Sequence, residues 1–545
     1  MGAEEITNQI WEMANRLRGT MDAGEYRNYI LGFMFYRYLS EHQEAFLVKN
    51  DLVDLTDNKN VNEAYAFETA DDLDDYLVGI SDSLGYAIAP EYTWATMLDK
   101  VHNNKLAPSD FQDMFDSFNN NVNLNPNAKV DFHGVFDDLN LSNSRLGNTT
   151  AARTKALTDI VDLVDQIEYH DENGKDILGD IYIYLISKFA ENSGKKAGEF
   201  YTPKQVSEVL SKLVTVDLPA DIKNPSVYDF ACGSGALLLT VQEEVKGRRL
   251  RYHGQELNTT TYNLARMNLM MHDVTYQNMD LRNADTLEMD WPDGVDDQGV
   301  DHPRSFDMVV ANPPYSARWD NDDKKLKDPR FKEYEALAPK TKADYAFLLH
   351  GLYHLKQDGT MAIVLPHGVL FRGAKEAKIR EALLNKNQID TIIGLPANLF
   401  YSTGIPTIVI VLKKNKTSKD VLFIDASKNF EKGKNQNLLR EEDIDKIIDT
   451  YQKREDVDKY AHVASFDEIK ENDFNLNIPR YVDTFEPEAP VDINQVANEM
   501  AETDKKIQDS ERELVGMLKE LISDDDDIMK GLNNLINNLE GELDD

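Results

Sequence analysis

The spacing of apolar residues changes twice along the chain, and each change of period predicts a change of architecture. In residues 1–165 the spacing is helical: Ile10, Met13, Ala14 and Leu17 lie three or four apart, and the aromatic-rich stretch from Tyr29 to Leu39 predicts a helix buried within its own domain. Residues 166–480 carry short apolar runs instead, at 227–230, 252–257, 306–311, 359–366, 389–396, 407–413 and 421–425, with helical stretches between most of the early ones. That alternation predicts an α/β domain built on a parallel sheet with crossover helices. Residues 481–545 turn to a seven-residue period. Met500, Ile507, Leu514, Leu521, Ile528 and Leu535 recur on it, with Met517, Leu532 and Leu539 on adjoining rows. This is the seam of a coiled coil or of a helix hairpin, and the acidic run Asp524 to Asp527 interrupts it.

Candidate chemistry sits at the ends of the apolar runs. Asn312-Pro313-Pro314-Tyr315 follows the run 306–311 directly. An amino group conjugated to an aromatic ring is a poor nucleophile, because its lone pair is delocalised into the ring. Acceptors aimed at its two protons draw it towards a tetrahedral geometry. Asn312 supplies a side-chain carbonyl oxygen and Pro313 a backbone one. The two prolines hold φ and disfavour helix at the residue before them, so the acceptors stay aimed. Tyr315 offers a ring face for an unstacked base. Alone, the tetrapeptide reads more readily as an ordinary turn; its neighbours reverse that and favour methyl transfer to nitrogen.

About eighty residues upstream, the strand-like Val227-Tyr228-Asp229-Phe230 runs into Ala231-Cys232-Gly233-Ser234-Gly235-Ala236, and a helix start follows at Leu237. Such a turn lets a nucleotide-like ligand approach the backbone at a strand's carboxyl end. It departs from the dinucleotide fingerprint, which needs a third glycine, and no Gly-Lys-Ser/Thr follows to form a phosphate loop. Glu256 ends the next strand about twenty residues later, where doubly wound folds grip a ribose hydroxyl. A solvated strand-end charge is the plainer account of Glu256. Asp285, in a further polar stop, is within reach of a purine amino group.

The order of glycine turn and Asn-Pro-Pro-Tyr resembles the amino-methyltransferases that use S-adenosyl-L-methionine. Glu199-Phe200-Tyr201-Thr202-Pro203-Lys204, ahead of the first strand, narrows the resemblance to the modification (M) subunits of type I restriction-modification enzymes, which methylate adenine at N6. The stretches 25–41, 143–149, 261–268 and 342–347 are similar to the same family, so the resemblance spans nearly the whole chain. It implies a Rossmann-like S-adenosylmethionine-dependent methyltransferase sheet at 166–480, an all-α domain at 1–165 and a helical or coiled-coil tail at 481–545 for subunit assembly. It also implies that Glu199, Phe200, Tyr201, Thr202, Pro203, Lys204, Asp229, Gly233, Ser234, Gly235, Ala236, Glu256 and Asp285 serve the cofactor, and that Asn312, Pro313, Pro314 and Tyr315 hold the adenine. One departure is visible: Phe230 stands where the family often has proline. Both are apolar, and the cofactor site is expected to survive the exchange.

Composition bears on partners. With 59 Lys and Arg against 97 Asp and Glu, the net charge of −38 is the wrong sign for holding DNA unaided. Lys195-Lys196 and the run Lys324 to Arg330 flank the site and are candidates for phosphate contact, although lysines in polar loops commonly just keep a surface soluble. The resemblance supplies partners: a specificity (S) subunit that reads double-stranded DNA, a second M subunit, and restriction (R) subunits. A homodimer is the simpler account of the tail. The lone Cys232 has no disulfide partner and is expected to pack as a small apolar side chain. No signal peptide and no apolar run of membrane-spanning length are visible, so the expectation is a cytoplasmic protein with no membrane partner.

Two other functions fit parts of the pattern. Asn-Pro-Pro-Tyr also suits the methylation of a protein glutamine amide, another planar nitrogen, and a non-catalytic scaffold subunit would keep the fold without the chemistry. Glu199 to Lys204, the helical front and the heptad tail favour DNA over the first, and intact Asn312 and Glu256 speak against the second.

Overall fold

The computed structural model describes residues 11, 23–56, 60–103, 105–106, 109–168, 177–192, 202–245, 247–288, 304–400, 404–434, 436–484 and 492–544. Ile10, Met13, Ala14, Leu17, Lys195, Lys196, Glu199, Phe200 and Tyr201 lie outside them. The chain divides into two units, 1–484 and 485–545.

The first unit opens with helices α1 (Ala23–Lys49), α2 (Val61–Glu68), α3 (Leu73–Leu84), α4 (Trp94–His102), α5 (Asp110–Val122), α6 (Thr150–Asp165) and α7 (Leu178–Asn192). Helix α1 is apolar on most sides between Tyr29 and Leu39, and a helix of that kind is stable only when other helices surround it. Phe33 and Tyr36 accordingly pack among Phe111, Phe115, Phe118 and Phe136, with ring centroids 4.8 Å apart for Phe115 and Phe136. The tyrosine hydroxyls that this buries find carbonyls: Tyr29 donates to Asn140 at 2.7 Å and Tyr36 to Tyr92 at 2.9 Å.

Strands β1 (Ser226–Asp229), β2 (Arg251–Glu256), β3 (Met279–Asn283), β4 (Phe306–Ala311), β5 (Leu355–Pro366), β6 (Ile389–Gly394), β7 (Thr407–Lys413), β8 (Val421–Asp425) and β11 (Ala461–Ala464) form one sheet in the order β11-β8-β6-β7-β5-β4-β1-β2-β3. The short β9 (Glu431–Lys432) and β10 (Asn437–Leu438) pair with each other. Between the strands run α8 (Lys204–Thr215, just before β1), α9 (Ala236–Glu244), α10 (Thr259–Met271), α11 (Asp344–Tyr353), α12 (Lys375–Asn385) and α13 (Glu441–Lys453).

The expected parallel sheet holds for β3-β2-β1-β4-β5 and for β6-β8, but β7 runs antiparallel to both neighbours and β11 antiparallel to β8. An apolar run carries no strand direction. Only the length and helicity of the connection do, and among the described residues of 395–406 there is no crossover helix. Side chains alternate between two cores. Val227, Met308, Val310, Ala362 and Val364 face α8, α9 and the amino-terminal helices, while Tyr228, Val309, Ala311, Met361 and Ile363 face α11 and α12. With both faces covered, the central strands read in the sequence as unbroken apolar runs.

Helix α10 joins sheet and helical domain. Every residue from Thr261 to Met271 is buried, and Arg266 Nη1 donates to the carbonyls of Val130, Asp131 and His133 at 3.0, 3.1 and 3.0 Å.

The second unit, by itself, is a pair of helices, α14 (Ile493–Lys519) and α15 (Asp526–Asp544). The acidic run does more than interrupt them. The Asp525 carboxylate accepts from the backbone N–H of Asp527 at 2.9 Å and of Ile528, which caps α15.

Candidate functional site

Strands β1 to β3 step towards one edge of the sheet, and β4 and β5 lie on the other side of β1. Chain order therefore reverses between β1 and β4. The carboxyl ends of two neighbouring parallel strands with divergent connections leave a crevice, the usual ligand position in open α/β sheets. The glycine turn leaves β1 and Asn-Pro-Pro-Tyr leaves β4, so motifs about eighty residues apart flank one crevice.

The turn is held by its own backbone. Cys232 N–H donates to the Gln255 carbonyl at 3.0 Å, Gly235 N–H to Cys232 at 2.8 Å, and Asn268 Nδ2 to the Ser234 carbonyl at 2.8 Å. Gly233 and Gly235 have φ of 55° and 77°. A side chain at 235 would meet Leu269 Cδ1 at 2.5 Å, whereas at 233 it would point into open space. Gly235 thus serves helix packing and Gly233 borders open space. Glu256 closes the turn, its carboxylate accepting from Gly233 N–H at 3.0 Å and Asn258 N–H at 2.8 Å.

Asp229, 2% exposed, accepts from Ala231 N–H at 3.0 Å. Burial, with the Glu256 charge adding to it, pushes its carboxyl up to about 8. Cys232 is buried beside the turn, where burial raises its thiol pKa well above the ordinary range, as befits a packing residue. Asp285 is half-buried past β3 and folds back on its own chain, accepting from Leu287 N–H at 2.9 Å. Ala236 begins α9, Pro203 is the buried residue before α8, and Lys204, exposed, starts that helix.

Asn312 is 7% exposed and held at both ends of its amide. Its Nδ2 donates to Thr202 Oγ1 at 3.0 Å, and its Oδ1 accepts from the Tyr315 hydroxyl at 2.7 Å. Pro313 is buried and Pro314 exposed. The Tyr315 ring meets Phe400 edge-on at a centroid distance of 6.1 Å, and burial, then Asp344, raises its hydroxyl well above the usual value. Beyond it the chain turns through Ser316, with φ of 53°. The buried Asp344, gripped by Arg372, accepts from Ser316 N–H at 2.8 Å and braces that turn.

One expected phosphate contact is corrected. Arg330 is 3% exposed and cannot reach a phosphate from there. It pairs with Asp328 at 2.7 Å and donates to the Thr286 carbonyl at 2.8 Å and to His350 Nδ1 at 3.0 Å. An arginine only donates, so Nδ1 is the accepting nitrogen, and the neutral ring turns Nε2–H to the Tyr228 hydroxyl at 2.7 Å. A loop rich in lysine hid a structural cation. Lys325 is tied to Glu288 at 2.7 Å, while Lys324 and Lys327 are exposed. Phe400 and Arg372 also escaped the sequence reading, and Asp344 entered it only as part of the family-like stretch 342–347, with no role. Each stands far along the chain from Tyr315 and Ser316, and no local spacing pointed to them.

A sheet of this order with its crevice at the glycine turn is that of a Rossmann-like methyltransferase. The N-6 DNA methylase family matches residues 173–489, more than half of the chain, and the HsdM N-terminal domain matches 6–164. The chain belongs to the N-6 DNA methylase family. It is 36% identical over 537 residues to the type I restriction enzyme MpnII methylase subunit of Mycoplasma pneumoniae, spanning 95% of this chain and 96% of that one. It is 30% identical to the MjaVII methylase subunit of Methanocaldococcus jannaschii over 90% of this chain and 81% of that one. The crystal structure of a type I restriction-modification methyltransferase subunit from Streptococcus thermophilus superposes with a TM-score of 0.80 at 43% identity, covering 89% of this chain and all of that one. These relatives do not favour the glutamine-amide alternative. Among the described residues no helix is long and apolar enough to cross a membrane.

Proposed function

We propose that this chain transfers a methyl group from S-adenosyl-L-methionine to N6 of an adenine flipped out of double-stranded DNA, as the modification subunit of a type I complex. The observation that carries this reading is Asn312, a braced side-chain acceptor at the end of β4, across the switch-point crevice from the glycine turn. Residues 1–165, 166–480 and 481–545 then serve as helical domain, catalytic domain and assembly tail.

The residues fit a cationic nucleoside cofactor. Gly233 leaves open space beside the turn, and Asp229, Glu256 and Asp285 place carboxyls at or just past the carboxyl ends of β1, β2 and β3. Glu256 would hold ribose hydroxyls, Asp285 the purine amino group, and the turn 233–236 would let the backbone come close. Bound there, S-adenosyl-L-methionine supplies an electrophilic methyl group. Asn312 Oδ1 keeps a second lone pair beside its bond to Tyr315 and would accept one amino proton, with the Pro313 carbonyl accepting the other. As the nitrogen becomes tetrahedral these bonds shorten and strengthen, which is where an acceptor contributes to rate. Tyr315 and Phe400 would border the base. The specificity subunit would choose the site, with a second copy of this chain and restriction subunits joining it. The test is transfer of labelled methyl groups to DNA by the chain co-purified with its specificity subunit. Incorporation into protein instead would support the glutamine-amide reading.

Two outcomes follow at the cofactor. Glu256→Ala should weaken S-adenosyl-L-methionine binding by roughly 1.5 to 3 kcal/mol, the worth of a charge-assisted hydrogen bond, as read by calorimetry. Gly235→Val is the poorer probe, because its side chain would strike Leu269 and disturb α9 packing first.

Asp229 sets a pH dependence. Its carboxyl, pushed up to about 8, holds a proton at neutral pH, and a cationic ligand favours the ionised form. Cofactor affinity should therefore rise as pH approaches about 8 and level off above it, with proton release on binding. Calorimetry in two buffers of different ionisation enthalpy measures that release. Asp229→Asn should bind without it.

A further inference from the structure

The Asn312 amide has two orientations with nearly the same shape, and only one is useful. With Oδ1 towards the target it offers an acceptor to the amino group. With Nδ2 there, an N–H would face the target's own N–H groups and the acceptor would be lost. Something must choose.

Two hydroxyls bracket this amide, Thr202 at 3.0 Å from Nδ2 and Tyr315 at 2.7 Å from Oδ1. They are not equivalent. A phenolic O–H is a strong donor whose oxygen is a weak acceptor, because its lone pair is drawn into the ring. An alkyl hydroxyl oxygen is the better acceptor. Tyr315 therefore selects the carbonyl end of the amide and Thr202 the N–H end, and both preferences favour the same orientation. Asn312 is buried and its two partners are half-buried, which limits the competition of water for these bonds.

We propose that Thr202 is a positioning residue for methyl transfer: its hydroxyl accepts from Asn312 Nδ2 and, with the Tyr315 hydroxyl opposite, locks the amide with Oδ1 turned to the target amino group. This deepens the function proposed above and rests on it. It also separates Thr202 from the residues around it. The segment 199–204 resembles a cofactor-binding element, yet the Thr202 hydroxyl bonds to the residue that would grip the base. The segment at the cofactor and the acceptor at the target thus share one hydrogen bond between residues 110 apart in the chain. A correctly seated Thr202 is then a condition for an aligned acceptor.

The test uses the complex of this chain with its specificity subunit and measures single-turnover methyl transfer at saturating S-adenosyl-L-methionine and DNA. Cofactor affinity is read by calorimetry and DNA affinity by anisotropy. Thr202→Val keeps the shape and removes the acceptor. The transfer rate should fall about tenfold, the size of one hydrogen bond, with both affinities within about twofold of wild type. Thr202→Ser keeps the hydroxyl and should restore the rate. Tyr315→Phe, made separately, should lower the rate in the same way while leaving the ring to border the base. A Thr202→Val enzyme with normal rate and normal affinities overturns the lock. So does one with weakened cofactor binding but full rate at saturation, because Thr202 would then be a cofactor contact alone. If the wild-type complex methylates no DNA, the functional reading fails and the lock falls with it.

Discussion

Replacing Asn312 with alanine is expected to abolish methyl transfer, by a hundredfold or more in rate, while the chain folds and binds S-adenosyl-L-methionine as before. The asymmetry follows from where the side chain sits. It projects from the end of β4 into the crevice, 7% exposed, and its polar partners are the hydroxyls of Thr202 and Tyr315. Truncation leaves both hydroxyls at the crevice, where water can enter and replace the amide, so the cost to the fold is modest. The turn that would hold the cofactor hangs on β1, Gln255, Glu256 and Asn268 and does not depend on Asn312. In the proposed mechanism the rate depends on it directly. A conjugated amino group attacks only as it leaves the plane of its ring, and an acceptor already oriented stabilises that change without reorganising. Losing one such group typically costs a hundredfold to a thousandfold. The check is a single-turnover transfer assay beside a calorimetric cofactor titration and a melting curve. Near-normal turnover would remove Asn312 from the proposed mechanism.

What the sequence revealed and what it hid divide along one physical line, the distance over which a pattern has to be read. The runs 306–311, 407–413 and 421–425 became strands with the same bounds, because a strand covered on both faces is apolar along most of its length. The reversed direction of β7 stayed hidden, since direction resides in connections rather than in strands. The same holds at the site. Asn-Pro-Pro-Tyr and the glycine turn were visible because their geometry is set within a few residues, and Gly235 needs glycine for a positive φ and a close Leu269. The partners of those motifs were not visible. Thr202 with Asn312, Phe400 with Tyr315 and Asp344 with Ser316 meet only after the sheet has assembled its order. Arg330 shows the converse error. Its place among lysines suggested phosphate, but the buried Thr286 carbonyl, Asp328 and His350 need one rigid cation with several donors, which lysine would supply less well.

Removing the tail from about residue 490 should leave a chain that remains in solution, binds S-adenosyl-L-methionine and no longer joins the specificity subunit or methylates its DNA. Helices α14 and α15 pack on each other, and among their described residues Val515 and Ile536 are the buried apolar side chains, both 6% exposed. The heptad row lies elsewhere on the same helices. Met500, Ile507 and Leu514 are 62, 51 and 43% exposed, and Ile528 and Leu535 are exposed as well. The hairpin therefore satisfies itself with one row and leaves the seven-residue row wet. Leu521 falls in the break between the helices, so two short seams rather than one long coiled coil are on offer. Burying each such side chain against a partner contributes about 1.5 to 3 kcal/mol before ordering costs, enough for a few turns to dock stably. The net charge of −38 would give such docking its purpose, since an acidic chain gains a hold on DNA most readily through a partner that already has one. Co-purification of the truncated chain with the specificity subunit, light scattering of each alone, and the methyl-transfer assay together decide. A truncated chain that still co-purifies and methylates normally would move the interface to the helical front domain. A full-length chain that dimerises by itself, and a truncated one that does not, would make the seam a homodimer contact instead.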